Sequence, residues 1–492
     1  MSLHTPHIDW FALATILALL AASFVSLLGA VLVPQPLRRT FGASVSALGF
    51  LGGLVASIWL YVDSPGHGHA VVSGAFYRDR WTALAQVILC GVGLATTLLS
   101  TEHLGRNDEH IAEFFSLLLA SAAGMTFFVG AGNLMTLFLA LEWFSIALYV
   151  MCAIDYEAEG SLEAGLKYLI VGSFGSAALL FGSALIYGAT GTISFAGIAH
   201  AIGAHGLAGD SLLATGVALV IAGLGFKMSA APFHMWTPDV YEGAPTPVTA
   251  WMSAATKVAA LVLAFRVMQT ALPQDKHLWS VAFAVPAVAS LAIGNLAALV
   301  QTNVKRLLAY SSVSHAGFML IGLSAGSALG GRAVMYYLIP YSAMAFGSFA
   351  IVAAREKELG RPVTLENLAG FGWERPFLGV AMWFFMFGFA GLPLGGGFVG
   401  KFYVFAAAYD HGWAWLVVVG VFATLVSLYY YLGVVRAMYM RRPELALAGG
   451  SPPRDRLLHV AVGMALAVSV GSLFAVSPLI DLARDAASSL PF

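Results

Sequence analysis

Fourteen stretches of about 20 mostly apolar residues, the length needed to cross a bilayer as a helix, follow one another along this 492-residue chain. They centre near Leu20, Leu51, Leu89, Leu119, Ser145, Ser176, Ala218, Val258, Val288, Ser314, Ser342, Phe389, Val421 and Ala467. The connections are mostly shorter than the stretches they join, which leaves no room for a separate soluble domain. Hydrophobic residues make up 59% of the chain and charged residues 10%, more apolar surface than a soluble core can use. The expected fold is an all-α polytopic membrane protein with about 14 transmembrane helices, forming a single domain over residues 1–492.

The formal net charge is −1, so no basic face is available for nucleic acid and the expected surroundings are the lipid bilayer and other membrane proteins. Cys90 and Cys152 are the only cysteines. Both lie in apolar runs and read as buried, inert thiols, with no C-x-x-C or Cys/His cluster to hold a metal or haem. The segment Met1 to Trp10 has no lysine or arginine ahead of its apolar run, so it reads as the approach to a retained first helix rather than a signal peptide.

Charge in the connections is uneven. Arg38, Arg39, Arg106, Lys305, Arg306, Arg355, Lys357, Arg361, Arg375, Arg441, Arg442, Arg454 and Arg456 fall in odd-numbered connections, against Arg78, Arg80, Lys276 and Arg332 in even-numbered ones. Cytoplasmic loops carry the excess of lysine and arginine, so the odd connections are expected inside and both termini outside.

Two segments are interrupted alike. Segment seven runs from Gly223 through Lys227 to Pro232, and segment twelve runs Gly391-Leu392-Pro393-Leu394-Gly395-Gly396-Gly397 and on to Lys401. Proline removes a helical hydrogen bond and glycine loosens the turn, and backbone freed in this way is tolerated at membrane depth only where protein or water satisfies it. Interrupted helices at matching places in two halves point to a transporter built from inverted repeats. The spacing predicts repeats of segments four to eight (about residues 106–272) and nine to thirteen (about 273–442). Segments one to three (1–105) precede them, and helix fourteen with the C-terminus (443–492) follows.

Ionisable residues inside apolar segments are costly and mark ion or proton paths. Glu142 reads as the ion-pair partner of a lysine, or as a protonated acid bonded to a neighbouring helix. Lys227, in the interrupted segment, is its best partner, while Lys257 and Lys401 sit at mid-span in segments eight and twelve. Desolvation disfavours an ammonium, so such lysines can gain and lose protons under working conditions. Lys167 lies four residues after Glu163, a spacing that a surface pair on one helix face explains. His234, two residues after Pro232, and His315, in the serine-rich Ser311–Ser314 stretch, could continue a path as neutral imidazoles. Each could equally be a satisfied buried histidine. Lys305 and Arg306 read as loop charges, and Asp239 and Glu242 as loop acids near a cytoplasmic entrance. There is no phosphate-binding glycine loop, nucleophile elbow or H-E-x-x-H, so the energy for transport has to come from an ion gradient or a partner protein.

Longer motifs add to this reading. Phe226 to Ala250 (FKMSAAPFHMWTPDVYEGAPTPVTA), Gln301 to Gly317 (QTNVKRLLAYSSVSHAG) and Gly397 to Phe402 resemble the antiporter-like membrane subunits of respiratory complex I, the NADH-quinone oxidoreductase. The VYEGAPTPVT portion and Lys401 are similar to the subunit N branch. The resemblance covers about residues 110–440 and implies fourteen helices, two inverted five-helix repeats, broken helices seven and twelve, and a midplane proton path. It assigns the relay to Glu142, Lys227, Lys257 and Lys401. It also implies that NADH, flavin, iron–sulfur clusters and quinone belong to partner subunits, that this chain holds no cofactor, and that its neighbours are other membrane and peripheral subunits in a bacterial-type inner membrane. Thr256, Leu394 and Gly395 depart from the family's usual residues beside Lys257 and at the second interruption. The rival expectations are a subunit of a multisubunit cation/proton antiporter and a non-conducting scaffold subunit whose lysines only pair for assembly.

Overall fold

A computed structural model describes residues 8–103, 111–441 and 455–491. Arg106, Arg442 and Arg454, as well as Met1 to His7, lie outside the described residues.

The chain opens with α1 (Ala14–Leu32) and α2 (Gln35–Asp63), then a small hairpin of β1 (His69–Val71) and β2 (Phe76–Arg78), then α3 (Arg80–His103). Next come α4 (Ile111–Phe128), α5 (Leu134–Cys152), α6 (Glu159–Thr190), the short α7 (Phe195–His205), α8 (Ser211–Met228), α9 (Trp236–Gly243) and α10 (Thr246–Ala271). A second series follows: α11 (Lys276–Leu299), α12 (Val304–Ser324), α13 (Ala328–Leu359), the single turn α14 (Phe371–Glu374), α15 (Pro376–Ala390), α16 (Gly396–Asp410) and α17 (Ala414–Met440). The chain closes on α18 (Arg456–Phe474) and α19 (Val476–Ala487). Among the described residues, 12 helices are long and apolar enough to span a membrane, and α4 and α15 are shorter apolar helices. Together they account for the fourteen expected segments. Segment seven is the broken pair α8/α9 and segment twelve the broken pair α15/α16.

Packing distinguishes an inner layer from an outer one. The apolar window of α10 is wholly buried, and those of α12 and α13 nearly so, whereas α2, α6, α17 and α18 bury only about a third. The outer helices turn side chains such as Phe24, Trp59, Phe174, Phe181, Phe422 and Tyr429 outward, where lipid is the natural solvent. The three inner helices bury the ionisable residues Lys257, Arg266, Lys305, His315 and Arg355.

The two series share one backbone plan. Asn133 caps α5 by accepting from the Thr136 amide, and Asn303 caps α12 by accepting from the Lys305 and Arg306 amides. Each Asn also forms an isolated bridge to the segment after the next helix, Asn133 with Ser194 and Asn303 with Thr364. A Cβ on Gly124 would lie 2.8 Å from the Phe144 amide nitrogen, and one on Gly294 would lie 2.6 Å from the Ser314 amide nitrogen. All four pairs (133 and 303, 194 and 364, 124 and 294, 144 and 314) are 170 residues apart. The long helices α6 and α13 are both 32 residues and both end on a left-handed glycine, Gly191 and Gly360, which suits the C-cap conformation. Equivalent helices are five crossings apart, so they run in opposite directions through the bilayer.

Cations of the odd connections gather at one end of the bundle. The Arg39 side chain donates to the Thr101 carbonyl, Lys357 to the Glu102 carbonyl and to Asp455, and Arg355 to Glu358 and Glu374. Lys305 and Arg306, read from sequence as loop charges, instead form the first turn of α12. Lys305 is buried there, donating to the Ala244 carbonyl and Thr246, because the Asn303 cap begins the helix earlier than the charge pattern suggests. At another site, Arg78 meets Asp9 and Asp63.

Candidate functional site

Lys227 stands in the last turn of α8. Two residues later Ser229 takes the left-handed conformation (φ 61°) and ends the helix, with the Ala230 amide donating back to the Gly225 carbonyl at 2.9 Å. The chain then turns through Pro232 into α9. The Phe226 carbonyl accepts from the Trp236 indole at 3.0 Å, which fixes Trp236 against Tyr168, their rings stacked at 4.6 Å. The ammonium of Lys227 therefore sits in an aromatic box. It donates to the Tyr168 hydroxyl at 3.4 Å and lies 5.0 to 5.5 Å from the ring centroids of Tyr168, Phe144, Phe226 and Tyr149. Ring faces attract a cation without neutralising it.

Glu142 projects from α5 towards this region and is the carboxylate that acts on Lys227 through space. The expected Glu142–Lys227 ion pair is not formed. No contact within 4.0 Å joins them among the described residues, and Oε1 of Glu142 is buried without a hydrogen-bond partner. The ammonium is surrounded instead by the rings of Phe144, Tyr149, Tyr168 and Phe226.

A second network lies around the inner helices. Lys257 of α10 donates to the Ser312 hydroxyl of α12 at 2.6 Å. Ser312 is 3.1 Å from the Tyr341 hydroxyl of α13, which in turn donates to the Ser253 carbonyl at 3.3 Å. The Tyr341 proton is thus committed to Ser253, so Ser312 donates to Tyr341 and accepts from Lys257. Ser253, Ser311, Ser312, Tyr341, Ser348 and Phe389 line a cavity of about 10 Å³, close to the smallest that holds one water. His315 lies between Tyr337 (Nδ1, 2.8 Å) and Tyr431 (Nε2, 2.9 Å), and Tyr431 bonds closely to Ser311.

Lys401 belongs to α16, beyond the second break. Its ammonium donates to the Phe389 carbonyl at 2.8 Å and lies 4.2 Å from the Phe318 ring. In an unbroken helix that carbonyl would accept from the amide four residues on, which here is Pro393 and has no N–H. The lysine stands in for the missing donor. The Phe389 ring packs at 4.9 Å on His315 and at 5.6 Å on Tyr431, so one residue touches both the lysine and the histidine network.

Lys257, His315 and Lys401 are therefore drawn together, Lys227 lies in its own box, and Glu142 is near Lys227 but not in contact with it. His234 sits half-buried in the α8–α9 turn, where its Nδ1 finds no partner among the described residues, and it joins neither network. Lys167 makes the i,i+4 pair with Glu163 (2.7 Å) and a second pair with Asp239 (2.9 Å), which also holds Arg306. Cys90 and Cys152 are both free and buried.

Sequence reasoning missed Tyr168, Tyr337, Tyr341 and Tyr431. Buried tyrosines need a partner for their hydroxyl, and tyrosines at interior helix positions were the available signal. It also missed Arg266, nine residues after Lys257 in the same apolar run. Arg266 is fully buried and forms a bidentate pair with Asp79 at 2.7 and 2.9 Å, with further bonds to Thr82 and the Val129 carbonyl.

Residues 131–427 match the family described as "NADH:quinone oxidoreductase/Mrp antiporter, TM". The chain is 42% identical to "NADH-quinone oxidoreductase subunit N" of Salinibacter ruber over 81% of its length and 79% of the relative. It is 36% identical to the protein of the same name from Mycobacterium bovis over the whole of both. Among solved structures, a chain of respiratory complex I from Thermus thermophilus with bound aureothin superposes with a TM-score of 0.79 at 31% identity, covering 96% of this chain and 99% of that one. A chain of the Mrp complex from Dietzia shares the fold, with a TM-score of 0.85 at 22% identity, covering 98% and 97%. A polytopic helical bundle with two broken helices, buried lysines at its centre and full-length relatives of one name belongs to the subunit N family of NADH-quinone oxidoreductase.

Proposed function

We propose that this chain is the proton-translocating, antiporter-like membrane subunit of an NADH-quinone oxidoreductase, with Glu142, Lys227, Lys257, His315 and Lys401 as the groups that handle protons. One observation carries the assignment of residues. Lys227, Lys257 and Lys401 are each buried and, among the described residues, each held only by neutral partners, namely the Tyr168 hydroxyl, the Ser312 hydroxyl and the Phe389 carbonyl. A buried charge kept for structure is paired with an opposite charge, as Arg266 is with Asp79. A buried ammonium with only neutral partners has desolvation working against its charge and is poised to give up a proton.

In this reading redox chemistry takes place in partner subunits, where NADH, flavin, iron–sulfur clusters and quinone reside, and reaches this chain as a change of charge at one end of the bundle. The arrangement described above is the separated state of Glu142 and Lys227. At an effective dielectric of about 20, a unit charge brought to 4 Å contributes roughly 4 kcal/mol, or about three pKa units. Approach of Glu142 therefore loads Lys227, and its withdrawal releases the proton through water towards Lys257. From Lys257 the hydroxyls of Ser312 and Tyr341, the small polar cavity and the His315 network lead towards Lys401. The chain sits in a bacterial-type inner membrane beside other antiporter-like subunits, with the cation-rich end of the bundle on the cytoplasmic side and both termini outside.

The test is NADH-driven proton pumping in membrane vesicles, comparing the native chain with Lys227→Ala after verifying that the complex assembles. Loss of pumping in an intact complex is the expected outcome. Normal pumping with normal assembly would make Lys227 a structural charge and overturn the assignment.

A further inference from the structure

The register between the two repeats places one residue where the relay's only carboxylate would be. The correspondence of 170 residues, set by the caps, the bridges and the glycine contacts of α4/α5 and α11/α12, carries Glu142 onto Ser312. Both sit at the same depth of equivalent helices, and each faces a lysine of the site. Ser312 does what Glu142 does not in this state, since it touches its lysine directly, at 2.6 Å.

Ser312 also faces the first repeat. The hydroxyl of Tyr241, from α9, lies among those of Ser312, Thr256 and Ser229 without closing a hydrogen bond to any of them. Ser229 is the residue that ends α8 just after Lys227, and its hydroxyl is also buried and without a partner among the described residues. A row of hydroxyls thus runs from the break beside Lys227, through Ser229 and Tyr241, to Ser312 and Lys257. Buried hydroxyls left open in this way are the groups that an internal water joins.

We propose that Ser312 is the second repeat's counterpart of Glu142 and the junction of the two networks, a positioning residue that holds the Lys257 ammonium and passes protons between the Tyr241 side and Tyr341. A neutral hydroxyl suits a junction that must both accept from Lys257 and donate to Tyr341. A carboxylate there would hold the ammonium as an ion pair and could not donate while ionised.

The inference rests on the relay reading above, and the experiment separates the two. Proton pumping would be measured in vesicles bearing the assembled complex with Lys257→Ala, Ser312→Ala, Ser312→Thr or Ser312→Glu, each over a range of pH. Ser312→Ala is expected to reduce pumping about tenfold or more, as loss of a hydrogen bond to a charged group implies, and Ser312→Thr, which keeps the hydroxyl, to restore it. Ser312→Glu should move the alkaline limb of the pH profile to higher pH, because the new carboxylate favours the ammonium. Native pumping by Lys257→Ala would overturn the relay itself. Loss in Lys257→Ala with a native rate and pH profile in Ser312→Ala, or equal loss in Ser312→Ala and Ser312→Thr, would overturn the role of Ser312 alone. If Ser312→Ala fails to assemble, the Thr and Glu variants decide the matter by the same readouts.

Discussion

The first repeat keeps its lysine in front of a helix break and the second keeps its lysine behind one. Lys227 lies two residues before the left-handed Ser229, whereas Lys401 lies ten residues after the left-handed Gly391. Around these lysines the backbone is duplicated down to the caps and the glycine contacts, while the chemistry is not. Tyr168 and Tyr337 stand at matching turns of the two 32-residue helices, one bonded to a lysine and the other to a histidine. In the same register Glu142 and Ser145 of the first repeat become Ser312 and His315 of the second. Packing contacts fix the scaffold, and so both copies have kept them. In the proposed relay the polar positions carry the path, and they differ between the two copies.

Four predictions test how far that contrast holds. The largest effect belongs to Glu142→Gln. In the proposed relay, removing the carboxylate whose approach to about 4 Å loads Lys227 takes away about 4 kcal/mol of switching energy, so NADH-driven pumping should fall about a hundredfold or more in an assembled complex. A native rate in that variant would show that the repeats do not differ in mechanism. Next is the distinction between paired and unpaired charge. Asp79→Asn strands the buried Arg266 and should cost about 3–5 kcal/mol, read as a lowered unfolding midpoint of the complex. Burial works against the Asp79 carboxylate, but the charge and hydrogen bonds of Arg266 outweigh it, so its pKa lies below the ordinary value. A depressed carboxylate contributes its stability above the unfolded value near 4 and loses it as pH falls through the lower folded value, so this pair should leave stability flat between about pH 5 and 8.

Smaller effects should be nearly equal in the two repeats. Gly124→Ala and Gly294→Ala each push a methyl onto a neighbouring backbone and should cost about 1–3 kcal/mol apiece; a large inequality in thermal unfolding would break the 170-residue register. Asn133→Ala and Asn303→Ala each remove a cap worth about 1 kcal/mol. The second should cost slightly more because Asn303 also donates to Glu242.

Much of this architecture was legible in the chain because lipid imposes it. Apolar windows of spanning length, and Gly/Pro interruptions beside Lys227 and Lys401, follow directly from the need to satisfy backbone groups without water. The rule that picks out the lysines applies equally to Arg266, but its structural role was hidden because its partner Asp79, 187 residues away, meets it only in the fold. The Glu142–Lys227 pair failed for a related reason. Charge complementarity was visible in the sequence, but the aromatic rings that surround the ammonium come from α5, α6 and α8 and converge only in the fold. The repeat was visible as two interruptions, whereas its register rests on Asn, Gly and Ser contacts too ordinary to stand out in a sequence.

Lys401 does a backbone's work at the second break. Its ammonium closes the Phe389 carbonyl that Pro393 cannot, so the helix end is complete only while the side chain stays in place. A lysine drawn away along the proton path would strand that carbonyl in the interior, and the cost of a buried acceptor left open, about 1–3 kcal/mol, would fall on the break itself. Segment twelve is therefore a joint whose stiffness depends on where one side chain sits, and in the proposed relay proton position and helix geometry there become a single variable.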